Sequence, residues 1–348
     1  MKKVLYITVK TVPYKTKLFN ALSEHVDLTV AYESEDIGDR NSQWSNSERL
    51  NHKHVFLSQK ESSLSFFLVS YQLIKYILKG WDEIIVGCFN LKPDIIAILF
   101  MKLFHINYIL NLDGETFFEG NGIKQKIKRF LVKGATSYLI AGEKSAIRLK
   151  NVVGESAVIL PYYFSSLCDR EIANNSNVTY ERKNYILVVG QYFDYKGLDI
   201  ALMCAKMDPS IKYKFVGMGK RTGLFVRENG PIPENVEIVP FLQKEELSKE
   251  YQHCRILLLP SRQECWGLVV NEAASFGTPI VSTWGSGAAI EMLSDYYPQY
   301  LAIPGNPMSL LKCLRTCLQT SQKDYCEFLK IKSKKYTIEN MVKAHVNI

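Results

Sequence analysis

Along nearly the whole chain, short unbroken apolar runs alternate with apolar residues at helical spacing. "KKVLYITV" is an apolar, β-branched run bounded by Thr11-Val12-Pro13, which predicts a short buried strand. "KTKLFNALSEH" puts Leu18, Phe19 and Leu22 at helical spacing, and "VDLTVAYE" returns to a strand. Strand, helix and strand in close order imply a parallel crossover unit. The alternation continues with a helix over 65–79, a strand at "DEIIVG", a helix over 92–104 and a strand at "INYILNL". A basic helix from Lys124 to Lys133 and a strand at "SYLIAG" follow, and the series closes near "AVILPYYF".

A second series opens at "NYILVVG" and runs through "KYKFVGMG", "VEIVPF", "RILLLPS" and "PIVST". Its strands are near-continuous apolar runs, the pattern of a sheet covered on both faces. The chain therefore reads as two doubly wound, Rossmann-like α/β domains facing each other across a cleft, where the carboxyl ends of the strands bind ligands. Residues 1–165 form the first domain and 184–330 the second. Residues 166–183, with "NNSN" at their centre, read as the linker, and 331–348 as a C-terminal helix packing back on the first domain.

A length of 348 residues suits two such domains. The net charge is +8: residues 1–165 carry 21 Lys+Arg against 16 Asp+Glu (+5) and the rest 22 against 19 (+3). A surplus spread in this way suits an anionic small molecule or membrane surface, and with no recognisable binding module it argues against nucleic acid. The 8 cysteines include no CxxC pair, and Cys313 and Cys317 lack a second half for a metal set; they read as free thiols. The apolar run after Met1 is too short for a signal peptide, and no run approaches the length of a spanning helix. The expected location is cytoplasmic, at the inner face of the plasma membrane.

The stretch with most chemistry is "ILLLPSRQECWGLVVNEAASFGTPIVSTWGSGAAIEML". It reads as strand, loop, helix, strand, loop, helix. Glu264 lies on the loop, Glu272 within the first helix, and Gly277 with Pro279 ends that helix. The N–H groups of Gly267, Leu268 and Val269 form a helix start with partial positive charge, suited to an anion. "WGSGAAIE" opens the next helix in the same way, with Gly285 and Gly287 allowing close backbone approach.

Pro-Ser, two residues, Glu264, Trp266-Gly267-Leu268-Val269, Glu272, Ala-Ala and Gly-Thr-Pro together resemble the donor-site signature of the retaining family-4 glycosyltransferases, which have the GT-B fold. "ILVVGQYFDYKGLDIALMCAK" resembles that family's first donor-domain strand and the turn after it. The resemblance gives Lys196 a role on the donor diphosphate and puts Gln191 where the family has an arginine, with the loss of one fixed positive charge. "YKFVGMG" matches the strand ending Gly-x-Gly, with Gly217 as its first glycine. "VEIVPFLQKEELSKEY" resembles the loop that contacts the nucleotide base, near Phe241 and Leu242. These motifs keep the family's order across about residues 185–295.

The first domain resembles the family less sharply. Pro13 and Tyr14 fall on its first strand-to-helix loop. "NLDGETFFEGNG" lies where many members carry a histidine near the reacting carbon. Here the candidates are Asp113 and Glu115, to orient the acceptor hydroxyl or accept its proton; the same residues read equally well as a plain Asp-Gly turn. No histidine is assigned to catalysis. The basic helix from Lys124 to Lys133 reads either as a contact with anionic membrane or as an ordinary amphipathic helix. "SLSFFLVSYQLIKYILKGW" reads as a core helix, its excess of Phe and Tyr leaving a peripheral anchor as the alternative.

The resemblance implies transfer of a sugar from a nucleotide-diphosphate donor, most simply a UDP-sugar, to a glycan or lipid-linked glycan in surface polysaccharide synthesis (capsule or O-antigen), with retention of configuration. Glu264 contacts the donor sugar and transition state, and Glu272 the ribose. No Asp-x-Asp motif is present, so the expected cofactor is none: Lys196 and the helix start at Gly267 meet the charge of the leaving group instead of a metal. A non-catalytic GT-B subunit that binds sugar nucleotide and a sugar-nucleotide epimerase are the alternative readings.

Overall fold

A computed structural model describes residues 1–35, 49–58, 65–87, 92–114, 122–178 and 181–347. The chain divides into two compact units, Met1–Ser166 with Ile338–Ile348, and Leu167–Thr337.

The first unit is built from β1 (Lys3–Thr8), α1 (Pro13–Leu22), β2 (Asp27–Tyr32), β3 (Lys53–Phe56), α2 (Ser65–Ile77), β4 (Glu83–Val86), α3 (Lys92–Leu103), β5 (Ile109–Leu112), α4 (Ile123–Val132), β6 (Ser137–Ala141), α5 (Glu143–Val153) and β7 (Val158–Tyr162). Among the described residues they make a seven-stranded sheet in the order β3-β2-β1-β4-β5-β6-β7. Every pairing is parallel, with register set by contacts such as Tyr6 opposite Val30 and Ile85. Val69, Leu73 and Ile77 of α2, Ile98 and Met101 of α3, Leu131 of α4 and Leu149 of α5 share one core cluster with Leu5, Ile7 and Leu110 of the strands. These four helices therefore cover a single face of the sheet. The edge strand β3, "KHVF", has no apolar run; among the described residues it pairs with β2 alone, and its exposed and half-buried positions leave little hydrophobic signal to read.

The second unit contains α6 (Asp169–Ser176), β8 (Ile186–Val189), α7 (Leu198–Met207), β9 (Tyr213–Val216), α8 (Thr222–Asn229), β10 (Val236–Val239), α9 (Lys244–His253), β11 (Ile256–Leu258), α10 (Leu268–Ser275), β12 (Ile280–Thr283), α11 (Gly287–Leu293), β13 (Leu301–Ala302), α12 (Pro307–Gln319) and α13 (Lys323–Ser333). Among the described residues its six strands, again all parallel, run β10-β9-β8-β11-β12-β13. In this doubly wound order the chain reverses direction across the sheet between β8 and β11, and ligands bind beyond the carboxyl ends of such a pair.

Two boundaries differ from the reading of the sequence. Residues 166–183 are not a free linker: α6 lies in the second unit, where Asn175 Nδ2 donates to Ser275 Oγ (2.9 Å) and Lys244 pairs with Glu171. Arg182 anchors the end of the same stretch, donating to the carbonyls of Tyr251 (2.6 Å) and Phe276 (2.9 Å) and to Thr278 Oγ1 (2.9 Å). A helix of 8 residues that buries Ile172 alone has too few apolar positions to show a period. At the far end, α13 stays in the second unit through Ser333, and α14 (Ile338–Val346) belongs to the first. There α14 packs by α1 and β7, buries Met341, Val342 and His345, and its Met341 Sδ lies 3.0 Å from the Ser165 amide nitrogen.

Candidate active site

Three segments of the second unit meet beyond the β8 and β11 strand ends: the turn 190–197, the loop 259–267 and the segment 283–288. Glycines hold them in backbone contact. Gly197 has φ +65°, and a Cβ there would run into the Pro260 carbonyl; Gly285 faces the Arg262 and Ser261 carbonyls, and Gly287 the Cys265 carbonyl. No side chain fits any of these three places without moving backbone. Hydrogen bonds complete the lock. Arg262 N and Gln263 N donate to Tyr195 O (2.8 and 3.1 Å), Glu264 N to Gly285 O (2.7 Å) and Gly287 N to Glu264 O (3.1 Å). Both backbone polar groups of Glu264 are thus fixed from the neighbouring segment.

The side chains converge as the backbone does. Lys196 Nζ forms an ion pair with Glu264 Oε2, the two being 22% and 15% exposed. Gly267, with φ +100°, precedes the first turn of α10, and a Cβ on it would lie 3.4 Å from Glu264 Cγ. The start of α10 therefore lies beside the lysine–glutamate pair. Gly217 (φ +94°) and Gly190 face each other at the ends of β9 and β8, with Gln191 half-buried just beyond Gly190. Phe241 and Leu242 are half-buried on the loop from β10 to α9. Glu272 lies one turn into α10, and Tyr251 Oη donates to its Oε2 at 2.8 Å. Burial, and then the Glu272 carboxylate, push the Tyr251 phenol well above its ordinary value, so it stays a neutral donor.

The structure changes two details. The Trp266 side chain is buried (3% exposed), its ring centroid 6.1 Å from that of Tyr336, so it packs in the core and leaves its backbone to shape the loop. The start of α11 is taken up by protein: Gly287 N and Ala288 N donate to the Glu264 and Trp266 carbonyls (3.1 and 2.8 Å). Gly285 and Gly287 therefore admit loop backbone, and the anion role read into "WGSGAAIE" does not hold.

Sequence reasoning missed Arg262. Its guanidinium spans Asp199 with two bonds, Nη1 to Oδ1 at 2.8 Å and Nη2 to Oδ2 at 2.5 Å, and Nη1 also donates to Asp194 O (2.7 Å). The Asp199 bonds raise the guanidinium above its ordinary value. A bidentate pair of this kind ties the 259–267 loop to the first turn of α7. Its only trace in the sequence is an Arg two positions before Glu264 and an Asp three after Lys196, each unremarkable alone.

In the first unit Asp113 follows β5, and its Oδ2 lies 2.7 Å from Nζ of Lys15, a lysine of α1 beside Pro13 and Tyr14. Lys15 is 7% exposed. Burial opposes its charge, but the Asp113 carboxylate, together with the Tyr6 and Tyr14 phenols, outweighs that and raises the ammonium above its ordinary value. Tyr14 packs edge-on against Phe164 at 5.1 Å. Glu115 lies outside the described residues. Beneath Asp113, Asn111 receives a hydrogen bond from Tyr162 Oη (2.9 Å) and donates to Tyr6 Oη and His345 Nε2 (both 2.8 Å). His345 Nδ1 lies 2.7 Å from the Met341 carbonyl, so that nitrogen carries the proton and Nε2 accepts. Burial lowers the His345 imidazole to about 4 and keeps it neutral. Lys15 and His345 belong to this cluster through tertiary packing, and no local motif marks either.

Residues 169–336 match the family model described as Glycosyl transferases group 1. An uncharacterised glycosyltransferase of Methanocaldococcus jannaschii is 24% identical over 269 residues, covering 72% of this chain and 70% of that one. The lipopolysaccharide glucosyltransferase WaaG of Escherichia coli is 28% identical over 158 residues, 44% of this chain and 42% of its own. Among solved structures, Anabaena HepE in complex with UDP and glucose superposes with a TM-score of 0.72 at 14% identity, covering 100% of this chain and 99% of that one. The family match covers nearly all of the unit that holds Lys196, Glu264 and Glu272, and both units have the sheet architecture of the superposed structures; the chain is a glycosyltransferase of the GT-B fold with a group 1 domain in its second unit.

Proposed function

We propose that this glycosyltransferase moves a sugar from a nucleotide-diphosphate donor, a UDP-sugar, to a glycan or lipid-linked glycan of a surface polysaccharide, with retention at the anomeric carbon and without a metal cofactor. The observation that carries this reading is the Lys196–Glu264 pair, held at the strand ends of the second unit beside the start of α10. Breaking the sugar–diphosphate bond leaves negative charge on phosphate and positive charge on the sugar. The Lys196 ammonium and the first amides of α10 meet the former, the Glu264 carboxylate the latter. Donor diphosphate displaces the Glu264 carboxylate as the partner of Lys196, so donor binding frees that carboxylate for the sugar. Glu272 holds the ribose hydroxyls with Tyr251 steadying its carboxylate, and the half-buried Phe241 and Leu242 border the base.

The choice of a UDP-sugar and a surface glycan is supported by HepE, solved with UDP and with UDP-glucose, by WaaG, and by an uncharacterised protein from the cps region of Klebsiella pneumoniae, 31% identical over 122 residues. The deciding measurement is calorimetric binding of UDP-, GDP-, ADP- and TDP-sugars, followed by transfer assays in which product configuration is read by NMR. UDP-sugar binding that survives a chelator, with product of retained configuration, is expected. Binding of another base, an inverted product, or activity abolished by chelator and restored by Mg²⁺ or Mn²⁺ would each overturn the corresponding part of the proposal.

A further inference from the structure

The helix layer formed by α2, α3 and α4 carries a surface that the reaction does not use. All three rest on one core cluster, and α3 adjoins both of the others. Their outward sides expose Phe67 and Tyr71 on α2, Leu103 and Phe104 at the end of α3, and Ile127 and Phe130 on α4. Every exposed Phe among the described residues is in this group, with Phe67 73% and Phe130 59% open to solvent. A soluble surface scatters such residues singly, whereas a cluster across adjoining helices marks an interaction face. The α2 helix, read from its sequence as core, is thus core on one side only.

The charges on the same helices have one sign. Lys75, Lys102, Lys124, Lys126, Lys128 and Arg129 are all basic, whereas the acid on these helices, Asp94, is 0% exposed. Lysines also lie against the aromatic rings: Lys75 Nζ is 4.6 Å from the Tyr71 ring centroid and Lys102 Nζ 4.4 Å from that of Phe130. Aromatic and aliphatic side chains interleaved with lysines, on helices without an exposed acid, complement a bilayer interface with anionic headgroups: the rings enter the acyl boundary and the ammonium groups reach lipid phosphate. We infer that the α2–α3–α4 face docks the protein on an anionic lipid surface. This goes beyond the transfer chemistry and does not depend on it.

The test is co-sedimentation of the full chain with vesicles of phosphatidylcholine plus phosphatidylglycerol, compared with phosphatidylcholine alone. Binding to the anionic vesicles only, weakened by salt, is expected. A basic side chain near such a surface is worth roughly five-fold in partitioning, so K124Q/K126Q/K128Q should lower it on the order of 100-fold. F104S/F130S should lower it at least about ten-fold, and F67S should do the same from the α2 side. The variants are expected to melt with the parent protein and bind sugar nucleotide in solution unchanged, and three separate substitution sets keep the test open if one fails to fold. Equal binding to neutral vesicles, no binding to either, or partitioning unmoved in the folded variants overturns the inference. So does a solution dimer that F104S/F130S dissociates, because the face would then belong to a second copy of the chain.

Discussion

Both units carry a lysine–carboxylate pair beyond the ends of a parallel, doubly wound sheet, and the two pairs are built in opposite ways. In the second unit Lys196 and Glu264 are side chains of turns locked backbone to backbone, with Gly197, Gly285 and Gly287 at the contacts. In the first unit Lys15 comes from a helix and is the more buried partner (8% exposed at the side chain), while Asp113 is 34% exposed. The first pair has its backbone prearranged and its side chains accessible to a ligand. The second has a charge sealed inside and held by its partner, with the Tyr6–Asn111–Tyr162–His345 cluster below it. One arrangement suits exchange of an ion-pair partner for a diphosphate; the other suits a fixed wall.

The largest expected effect tests the exchangeable pair. Glu264→Gln should lower turnover by about 10²–10³-fold, with the melting temperature little changed, because a neutral amide cannot meet charge that develops on the sugar. Steady-state kinetics beside a thermal melt checks this, and near-parental turnover in a folded variant would remove Glu264 from the transition state.

The second test strikes the backbone lock. Gly197→Ala combines a left-handed backbone with a collision against the Pro260 carbonyl, and should cost about 3 kcal/mol, a melting shift on the order of 5–10 °C for a unit of this size. Donor affinity should fall with it. An unchanged melt would mean that the 259–267 loop is free to yield and that the contrast with the first unit is weaker than drawn.

Asp113→Ala tests the sealed pair. It strands the buried Lys15 ammonium, and a loss of stability of about 3 kcal/mol is expected. Chemical denaturation reads it, and Lys15→Met on top of Asp113→Ala should restore part of the loss by removing the uncompensated charge. If Asp113 serves instead as an acceptor-side base, the double variant will recover stability and still be inactive.

The smallest effect is a pH dependence of the first unit. The folded-state value of His345 is lowered to about 4 from 6.5, so the unfolded chain binds the extra proton between those values. Stability is full above about pH 6.5 and is lost as pH falls toward 4, amounting to about 1 kcal/mol between pH 7 and 5.5. His52, lowered to about 4 chiefly by burial, adds in the same sense. Denaturant midpoints across that range should show a shallower slope for His345→Gln than for the parent.

How much of this was legible beforehand follows from how each feature is encoded. The strands of both sheets are apolar runs, so the α/β architecture could be read from local periodicity, while Lys196, Glu264 and Glu272 were singled out by the resemblance of their surrounding motifs to the family-4 donor-site signature. The edge strand β3 and helix α6 bury too few residues to leave a period, so α6 reads as linker in the sequence and takes its place in the second unit only through its packing. Helix α2 showed apolar residues all round, and periodicity does not distinguish a side that faces the core from one that faces outward.

The order of elements and the chemistry of the second unit's loops were thus determined by the sequence itself, because turn glycines and helix starts act on neighbours a few residues away. Tertiary structure alone decided which side chains pair across long separations: Arg262 with Asp199, Lys15 with Asp113, and His345 with Asn111, the last bringing the chain's final helix into the first unit. It also decided that the glycines after β12 admit protein backbone in place of a ligand. The Lys196–Glu264 pair lies between these cases: both residues were legible in their local motifs, and only the parallel pairing of β8 with β11 made them partners.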